Sequence, residues 1–351
     1  MSRRAEGAAG GDSDRYARSV LFGGIGSEGQ RRIGETSIVF VGLGAVGAAA
    51  AESAARAGVG RLTLVDRDIV EESNLSRQFL FDAEDAAALA PKAAAAAARL
   101  SEIDPSLRVA ARVLDLDHRN AVETLSGHDI VFDASDNFET RLLVSDASRF
   151  AGIPSVYAAC VGSEGRVGVF PPGPHPCLRC YVEELPKAGS GPTCDTVGVV
   201  PTLPPLVAAI GMTEALRLAA GLSPSRGLLV LESWETGFSS RRVFSDSPPS
   251  AACPVCSAGR YPALEGEGAS EVVKLCGRRA VQVAPPGRER PDFDSLERRL
   301  ARVGRVHRSA HLLSADIGDV SLTVFADGRC VVRGTADPAR ARTLYERFIG
   351  R

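Results

Sequence analysis

Residues 36–77 constrain this chain more than any other stretch: TSIVFVGLGAVGAAAAESAARAGVGRLTLVDRDIVEESNLSR. Residues 37–41 are a short apolar, β-branched run, the pattern of a strand buried on both faces of a parallel sheet. Gly42, Gly44 and Gly47 follow as G-x-G-x-x-G at the turn into an Ala-rich helix. Such glycines permit a tight turn and close backbone approach to a phosphate, while the helix start adds free N–H groups and the positive end of its dipole. Gly58 and Gly60 end the helix, residues 61–65 make a second strand, and Asp66 closes it about where a carboxylate meets a ribose hydroxyl. The pattern predicts a nucleotide. Alone it does not separate NAD, S-adenosylmethionine, FAD and ATP, and a ligand-free Gly-rich turn is its structural alternative.

The polar residues downstream fall at the ends of further strands. After Asp66 comes DIVEESNLSRQ, non-periodic and at a strand's carboxyl end, the edge where open α/β sheets bind ligands. Asn74, Arg77 and Gln78 are placed there to reach phosphates; a solvated loop is the bland alternative. Pro91 at a first helical position puts Lys92 at a helix start, where it could face a phosphate; a solvent-exposed lysine is the alternative. Residues 107–113 and 128–132 read as the third and fourth strands, the latter running into Asp133-Ala134-Ser135-Asp136-Asn137. A carboxylate there suits Mg²⁺, which prefers oxygen ligands and bridges phosphates; equally, Asp136 reads as the N-cap of a helix over 138–151. Residues 154–158, 165–170, 228–232 and 240–244 continue the strands, and a helix spans 204–220. Near the start, DRYARSVL reads as helix or turn, with Arg15 and Arg18 as solvated charges by default.

Eight cysteines are present, and no secretory signal precedes them, so metal or catalytic roles outweigh disulfides. Cys177 and Cys180 form one C-x-x-C pair, Cys253 and Cys256 another. Each offers two sulfurs from one tight turn, and together they predict a tetrahedral, structural zinc site clipping distant loops; a redox pair or free thiols are the alternatives. Cys194 lies between them in a Pro- and Gly-rich loop. Net charge is −2, which implies no nucleic-acid surface, and no apolar run approaches a membrane span. With an N-terminus that does not read as a signal sequence, the expected setting is the cytoplasm.

The organisation read from composition is a disordered tail over 1–13, a main domain over 14–260, a Gly/Glu linker over 261–271 and a small α+β domain over 272–351. In the last, Phe293, Leu296, Leu300 and Val303 share one helical face. Residues 322–326 and 329–333 flank an Asp-Gly hairpin turn, Asp337-Pro338 starts a final helix, and Cys276 and Cys330 join the small core. His307 and His311 are read as non-functional.

RYAR (15–18), GLGAVG (42–47), LTLVDRDIVEESNLSRQ (62–78), PK (91–92), ASDNFETR (134–141), CLRC (177–180), CDTVGVV (194–200) and CPVC (253–256) occur in that order. In this the chain resembles the ThiF/MoeB/HesA family, bacterial relatives of ubiquitin-activating enzymes. The resemblance implies an α/β fold: a Rossmann-like ATP-binding domain with a mixed, mostly parallel sheet and a zinc-clipped C-terminal part, followed by the small α+β domain. It implies an adenylyltransferase that moves AMP from ATP to the C-terminal Gly-Gly carboxylate of a ubiquitin-fold sulfur carrier. By motif, Gly44 and Asp66 would hold the nucleotide, Asn74, Arg77 and Lys92 its phosphates, and Asp136 Mg²⁺. Arg18 would reach the triphosphate of the other subunit of a homodimer, and Cys194 matches a cysteine that in some members bonds covalently to the carrier. After Cys194, however, the family's Gly-rich stretch is replaced by VPTLPPLVAAIG. No rhodanese pattern follows residue 272, so the sulfur donor would be a separate protein. Two alternatives are an NAD-dependent Rossmann oxidoreductase, which explains residues 36–66 alone, and a non-catalytic homologue that only docks a carrier.

Overall fold

The structure is a computed structural model that describes residues 15–174, 176–181, 197–235, 237–243, 253–267, 272–275, 279–284 and 291–349. Cys194, Cys276 and the N-terminal tail lie outside the described residues. Among those described, a first sheet takes its strands from β1 (Ser37–Val41), β2 (Arg61–Asp66), β3 (Arg108–Val113), β4 (Ile130–Asp133), β5 (Ser155–Val161), β6 (Glu164–Phe170), β7 (Leu228–Glu232) and β8 (Ser239–Val243). Their order is β3-β2-β1-β4-β5-β6-β7-β8. Pairing is parallel from β3 to β5 and antiparallel from β5 to β8.

Helices cover both faces, which is why β1 is apolar from Ile38 to Val41. Ile38 and Phe40 face one core with α3 (Ala45–Arg56), α5 (Lys92–Ile103) and α8 (Leu203–Ala219). Val39 and Val41 face the other, with α6 (Ala121–Leu125) and α7 (Phe138–Phe150). The two-residue period of a strand divides the run between two buried faces. On the first face Phe40 meets Phe132 with ring centroids 5.1 Å apart, and each ring fully buried is worth roughly 1.5–3 kcal/mol. The Ala-rich sequence of α3 leaves Ala48, Ala51 and Ala55 without exposed surface, so this helix seats closely on the sheet.

Local differences from the sequence reading have local causes. Pro91 is the N-cap of α5 and Lys92 its first residue, because Pro91 holds an extended ψ of 132°. The N-cap of α7 is Asn137, whose side chain accepts from the Thr140 N–H at 2.8 Å; Asp136 does not cap it. The stretch that departs from the family pattern forms the start of α8, with prolines in its first turn, where no N–H partner is needed. Just before it, Gly198 and Val200 bond to Gly162.

The second sheet is antiparallel, in the order β11-β12-β13-β14-β10-β9. Its strands are β9 (Val272–Leu275), β10 (Ala280–Val283), β11 (Arg305–Arg308), β12 (Leu312–Ile317), β13 (Val320–Phe325) and β14 (Cys330–Arg333). One face packs on α10 (Phe293–Leu300) and α11 (Pro338–Phe348), burying Leu296, Leu300, Cys330 and Tyr345. Helix α10 ends before Val303, which is half exposed and off the buried stripe. The other face carries Leu312, Phe325 and Val331 and packs against Ile69 and Val113 of the first unit. Between the sheets, residues 261–267 turn against the first unit, where the Ala263 N–H donates to Asp146 at 3.0 Å. Among the described residues no helix is long and apolar enough to cross a membrane.

A Cβ at Gly47 would sit 1.9 Å from the Gly42 carbonyl oxygen, whereas one at Gly44 would meet nothing within 4 Å. Gly47→Ala should therefore lower stability by roughly 1–3 kcal/mol or more, and Gly44→Ala by about 0.5 kcal/mol, read as thermal or denaturant midpoints. Equal losses at the two positions would contradict this packing of the turn.

Candidate functional site

The carboxyl ends of β1, β2 and β4 meet where the strand order reverses, the place at which doubly wound sheets leave a crevice. Gly42 has φ +87°, and a Cβ there would lie 2.7 Å from the Ala134 carbonyl. The turn is thus pressed against the end of β4 on one side and open at Gly44 on the other. Gly44 is the N-cap of α3 and offers no side chain to its first N–H groups, which leaves them to an anion.

Asp66 joins this turn to the next loop. Its Oδ2 accepts from the Leu43 N–H at 2.6 Å and its Oδ1 from the Asp68 N–H at 2.7 Å. Burial pushes its carboxyl pKa up, and the nearby Lys92 charge opposes this. Lys92 is buried with Nζ 3.6 Å from Asp68 Oδ2. Arg67 lies 3.2 Å from Asp115 Oδ1. Burial disfavours its charge, but Asp115, Asp68 and Asp136 together hold its pKa above the ordinary value. Asn74 is buried; its Oδ1 accepts from the Glu71 N–H at 3.1 Å and its Nδ2 has no partner. The Oε1 of buried Gln78 is also unpartnered. Arg77, half buried, donates to the Ser73 carbonyl at 2.7 Å. Buried polar atoms are ordinarily hydrogen-bonded, so the Asn74 Nδ2 and Gln78 Oε1 are groups that a polar ligand could satisfy.

Asp136 is exposed and accepts from Asn137 Nδ2 at 3.1 Å. Behind it, buried Asp133 takes the Ser135 N–H and hydroxyl on one oxygen, and burial raises its pKa. Arg141 donates twice to the Ser135 carbonyl and once to the Tyr157 hydroxyl, clamping the turn that presents Asp136. Glycines, Asp66, Asn74, Arg77, Lys92 and Asp136 therefore gather on one sheet edge, where cations and N–H groups could hold a polyphosphate and carboxylates a divalent cation.

Arg18 is elsewhere. It lies exposed on α1 (Ala17–Leu21). The preceding Tyr16 lies against Gly58, just beyond the carboxyl end of α3. The Gly-rich turn is at the other end of that twelve-residue helix, about 18 Å away at 1.5 Å per residue. Asp68, Arg67, Asp115 and Arg141 were not singled out from sequence. Asp68 had a signal, two residues past Asp66 in the same polar loop; the Arg67–Asp115 pairing and the clamp by Arg141 are tertiary and had none.

The four C-x-x-C sulfurs come together, all within 4.8 Å of one another. Cys177 and Cys253 are 3.7 Å apart and Cys180 and Cys256 3.6 Å. A tetrahedron of thiolates at a metal–sulfur distance of about 2.3 Å has edges of about 3.8 Å, so the cluster could hold a metal ion. As thiols they are poorly served: burial pushes Cys256 up to about 11. Between the first pair, Arg179 reaches Asp146 at 2.9 Å; that carboxylate also takes Ala263 N–H, so one buried acid ties both flanks of the cluster to α7.

A family model, the ThiF family, matches residues 16–255. The chain is 39% identical over 337 residues to the sulfur carrier protein ThiS adenylyltransferase of Bacillus subtilis (strain 168), covering 96% of this chain and 99% of that one. It is 40% identical over 250 residues to a sulfur carrier protein adenylyltransferase of Thermus thermophilus, covering 69% and 90%. In fold it is similar to E. coli MccB solved with ATP, with TM-score 0.59 and 19% identity over 70% of this chain and 74% of that one.

Purified protein should carry about one metal ion per chain, and Cys253→Ser should lose it and melt earlier, because metal binding and folding are coupled. Elemental analysis that finds unchanged metal in the variant would remove these four cysteines as the ligands.

Proposed function

The chain belongs to the ThiF family, and from that premise we propose that it is an ATP-dependent adenylyltransferase acting on the C-terminal glycine carboxylate of a ubiquitin-like sulfur carrier. The observation that carries this reading is the match to the Bacillus subtilis ThiS adenylyltransferase, which runs through the second sheet as well as the family region. An NAD-dependent reading accounts for the Gly-rich turn and Asp66 but not for the cysteine cluster.

In the proposed reaction the carrier's carboxylate attacks the α-phosphorus of ATP. An acyl oxygen–phosphorus bond forms, the bond to the β-phosphate oxygen breaks, and pyrophosphate leaves. The attacking group is ionised at neutral pH, so the protein supplies no base; its contribution is position and positive charge. The open side of Gly44 and the start of α3 receive phosphates, with Asp66 beside the ribose. Asn74 Nδ2, unpartnered and buried, is a ready donor, and Lys92 and Arg77 bring charge. Asp136, relieved of capping by Asn137, would hold Mg²⁺, which neutralises phosphate charge. Arg18, on the far side of its own α3, would serve the partner subunit of a homodimer. The cysteine cluster would hold a structural zinc whose four thiolates leave no open position. Cys194 has no part until an acyl adenylate exists, and a thiolate could then attack that carbonyl. The sulfur donor would be a separate protein and the setting cytoplasmic.

ATP–pyrophosphate exchange with candidate carriers tests the reading, and its absence with all of them would overturn it. Asp136→Ala should lower exchange by about two orders of magnitude with an unchanged melting midpoint, since Asn137 keeps the helix cap. Cys194→Ala should retain exchange within roughly twofold and lose any covalent carrier adduct on a non-reducing gel. Loss of exchange in that variant would place Cys194 in the nucleotide site instead.

A further inference from the structure

Residues 272–351 lie beyond the family match, which ends at residue 255, and have no part in the chemistry above. Yet their sheet docks on the loop that leaves β2, the loop that carries Asp68, Asn74 and Arg77. Ile69 packs among Ala280, Leu312, Phe325 and Val331. Two arginines of the second unit then reach the loop's polar groups. Arg329, fully buried and stacked 3.5 Å from the Phe325 ring centroid, donates to the Arg67 carbonyl, one residue past Asp66. Arg333 on β14 places Nη2 2.8 Å from Glu71 Oε1 and Nη1 3.3 Å from Thr323 Oγ1.

Glu71 is the N-cap of a short 3-10 turn, Glu72–Asn74, and it and Asn74 hold each other reciprocally. The Glu71 carboxylate accepts from the Asn74 backbone N–H, and the Glu71 N–H donates to Asn74 Oδ1 at 3.1 Å. With Oδ1 engaged on that side, the amide geometry turns Nδ2 the other way, into a buried position without a partner. The orientation of this donor is therefore set by the Glu71 backbone N–H, and the capping pair that keeps this N–H in place is closed by the Glu71 carboxylate, which Arg333 holds. Charge works in the same direction, because the guanidinium offsets a carboxylate that would otherwise repel a bound polyphosphate.

We propose that Arg333 is a positioning residue of the nucleotide site: through Glu71 it fixes the side-chain amide of Asn74 as a donor to the phosphates, which makes the second sheet a working part of that site. This rests on the reading of Asn74 as a phosphate ligand. Arg333 touches no reacting atom and acts through the capping pair.

Binding of a non-hydrolysable ATP analogue with Mg²⁺, measured by titration calorimetry on the full chain, tests it. Arg333→Met should weaken binding by roughly tenfold, the scale of one charge-assisted hydrogen bond. Arg333→Lys, which keeps the charge but not the fork, should recover part of the loss. In an Asn74→Ala background Arg333→Met should weaken binding further by no more than about twofold, the non-additivity of residues acting in series. Should Arg333→Met melt below the assay temperature, Glu71→Gln, which keeps side-chain volume, takes its place in the cycle with the same expectation. Wild-type affinity in the variant, or a full tenfold loss that persists beside Asn74→Ala, overturns the proposal. ATP–pyrophosphate exchange run in parallel separates the two readings. Exchange absent with every carrier while Arg333→Met still weakens analogue binding overturns the carrier assignment and supports the positioning role. Normal exchange with an unmoved KM for ATP overturns the positioning role alone.

Discussion

One buried carboxylate sets the geometry on which the nucleotide edge depends. Asp66 ends β2 and bonds outward on both oxygens, to Leu43 in the Gly-rich turn and to Asp68 in the following loop. Two loops from different strands are thereby indexed to one side chain. The Gly-rich turn is fixed from its other side by the contact of Gly42 with Ala134, so the ends of β1, β2 and β4 form one rigid rim. The adjoining loop is tied in turn by Lys92, whose N–H donates to the Asp68 carbonyl at 2.9 Å and whose ammonium faces the Asp68 side chain. Burying an acid in this way costs solvation; two N–H donors and a nearby ammonium offset that cost.

What could be read from sequence was what is encoded within a turn or two. The apolar run of β1, the Gly spacing, the Ala-rich α3 and each C-x-x-C pair are local patterns, and the structure places all of them as strand, turn, helix and cluster. Asp136 shows the limit of this. The sequence offers Asp136 as the cap of α7, and only the backbone path shows that Asn137 instead meets the Thr140 N–H. That single-residue distinction changes Asp136 from a structural group into an exposed acid beside the crevice. The Arg67–Asp115, Arg179–Asp146 and Arg333–Glu71 pairs join residues 48, 33 and 262 positions apart, and no periodicity or turn signal reports such separations.

The cysteine cluster solves a different problem from the nucleotide edge. Its two pairs flank the far half of the first sheet, one following β6 and the other following β8, and they bring together residues 76 positions apart in the chain. Among the described residues Cys177, Cys253 and Val255 form a small buried group, with Cys180, Cys256 and Tyr261 packed against it. Asp146 adds a second tie at the same place, with no exposed surface and three donors on its carboxylate. A buried ion pair this well satisfied avoids the penalty of a bare charge, and it holds Arg179, which lies between Cys177 and Cys180 in the chain.

The second sheet meets the first unit through a strand's two-residue alternation. On β14, Cys330 and Val332 face the helices of their own unit, while Val331 faces Ile69 across the interface. Arg329 and Arg333 stand two residues to either side of Val331 and share its face. One strand thus delivers an apolar contact at its centre and a guanidinium on each flank, each meeting a polar group of the loop after β2. A slip of one residue in the pairing of β14 with β10 and β13 would turn all three inward and bury both charges among Leu322, Val324 and Tyr345. The same alternation that builds the small core therefore also specifies how it docks, and the loop carrying Asn74 is held by the register of a strand more than 250 residues away.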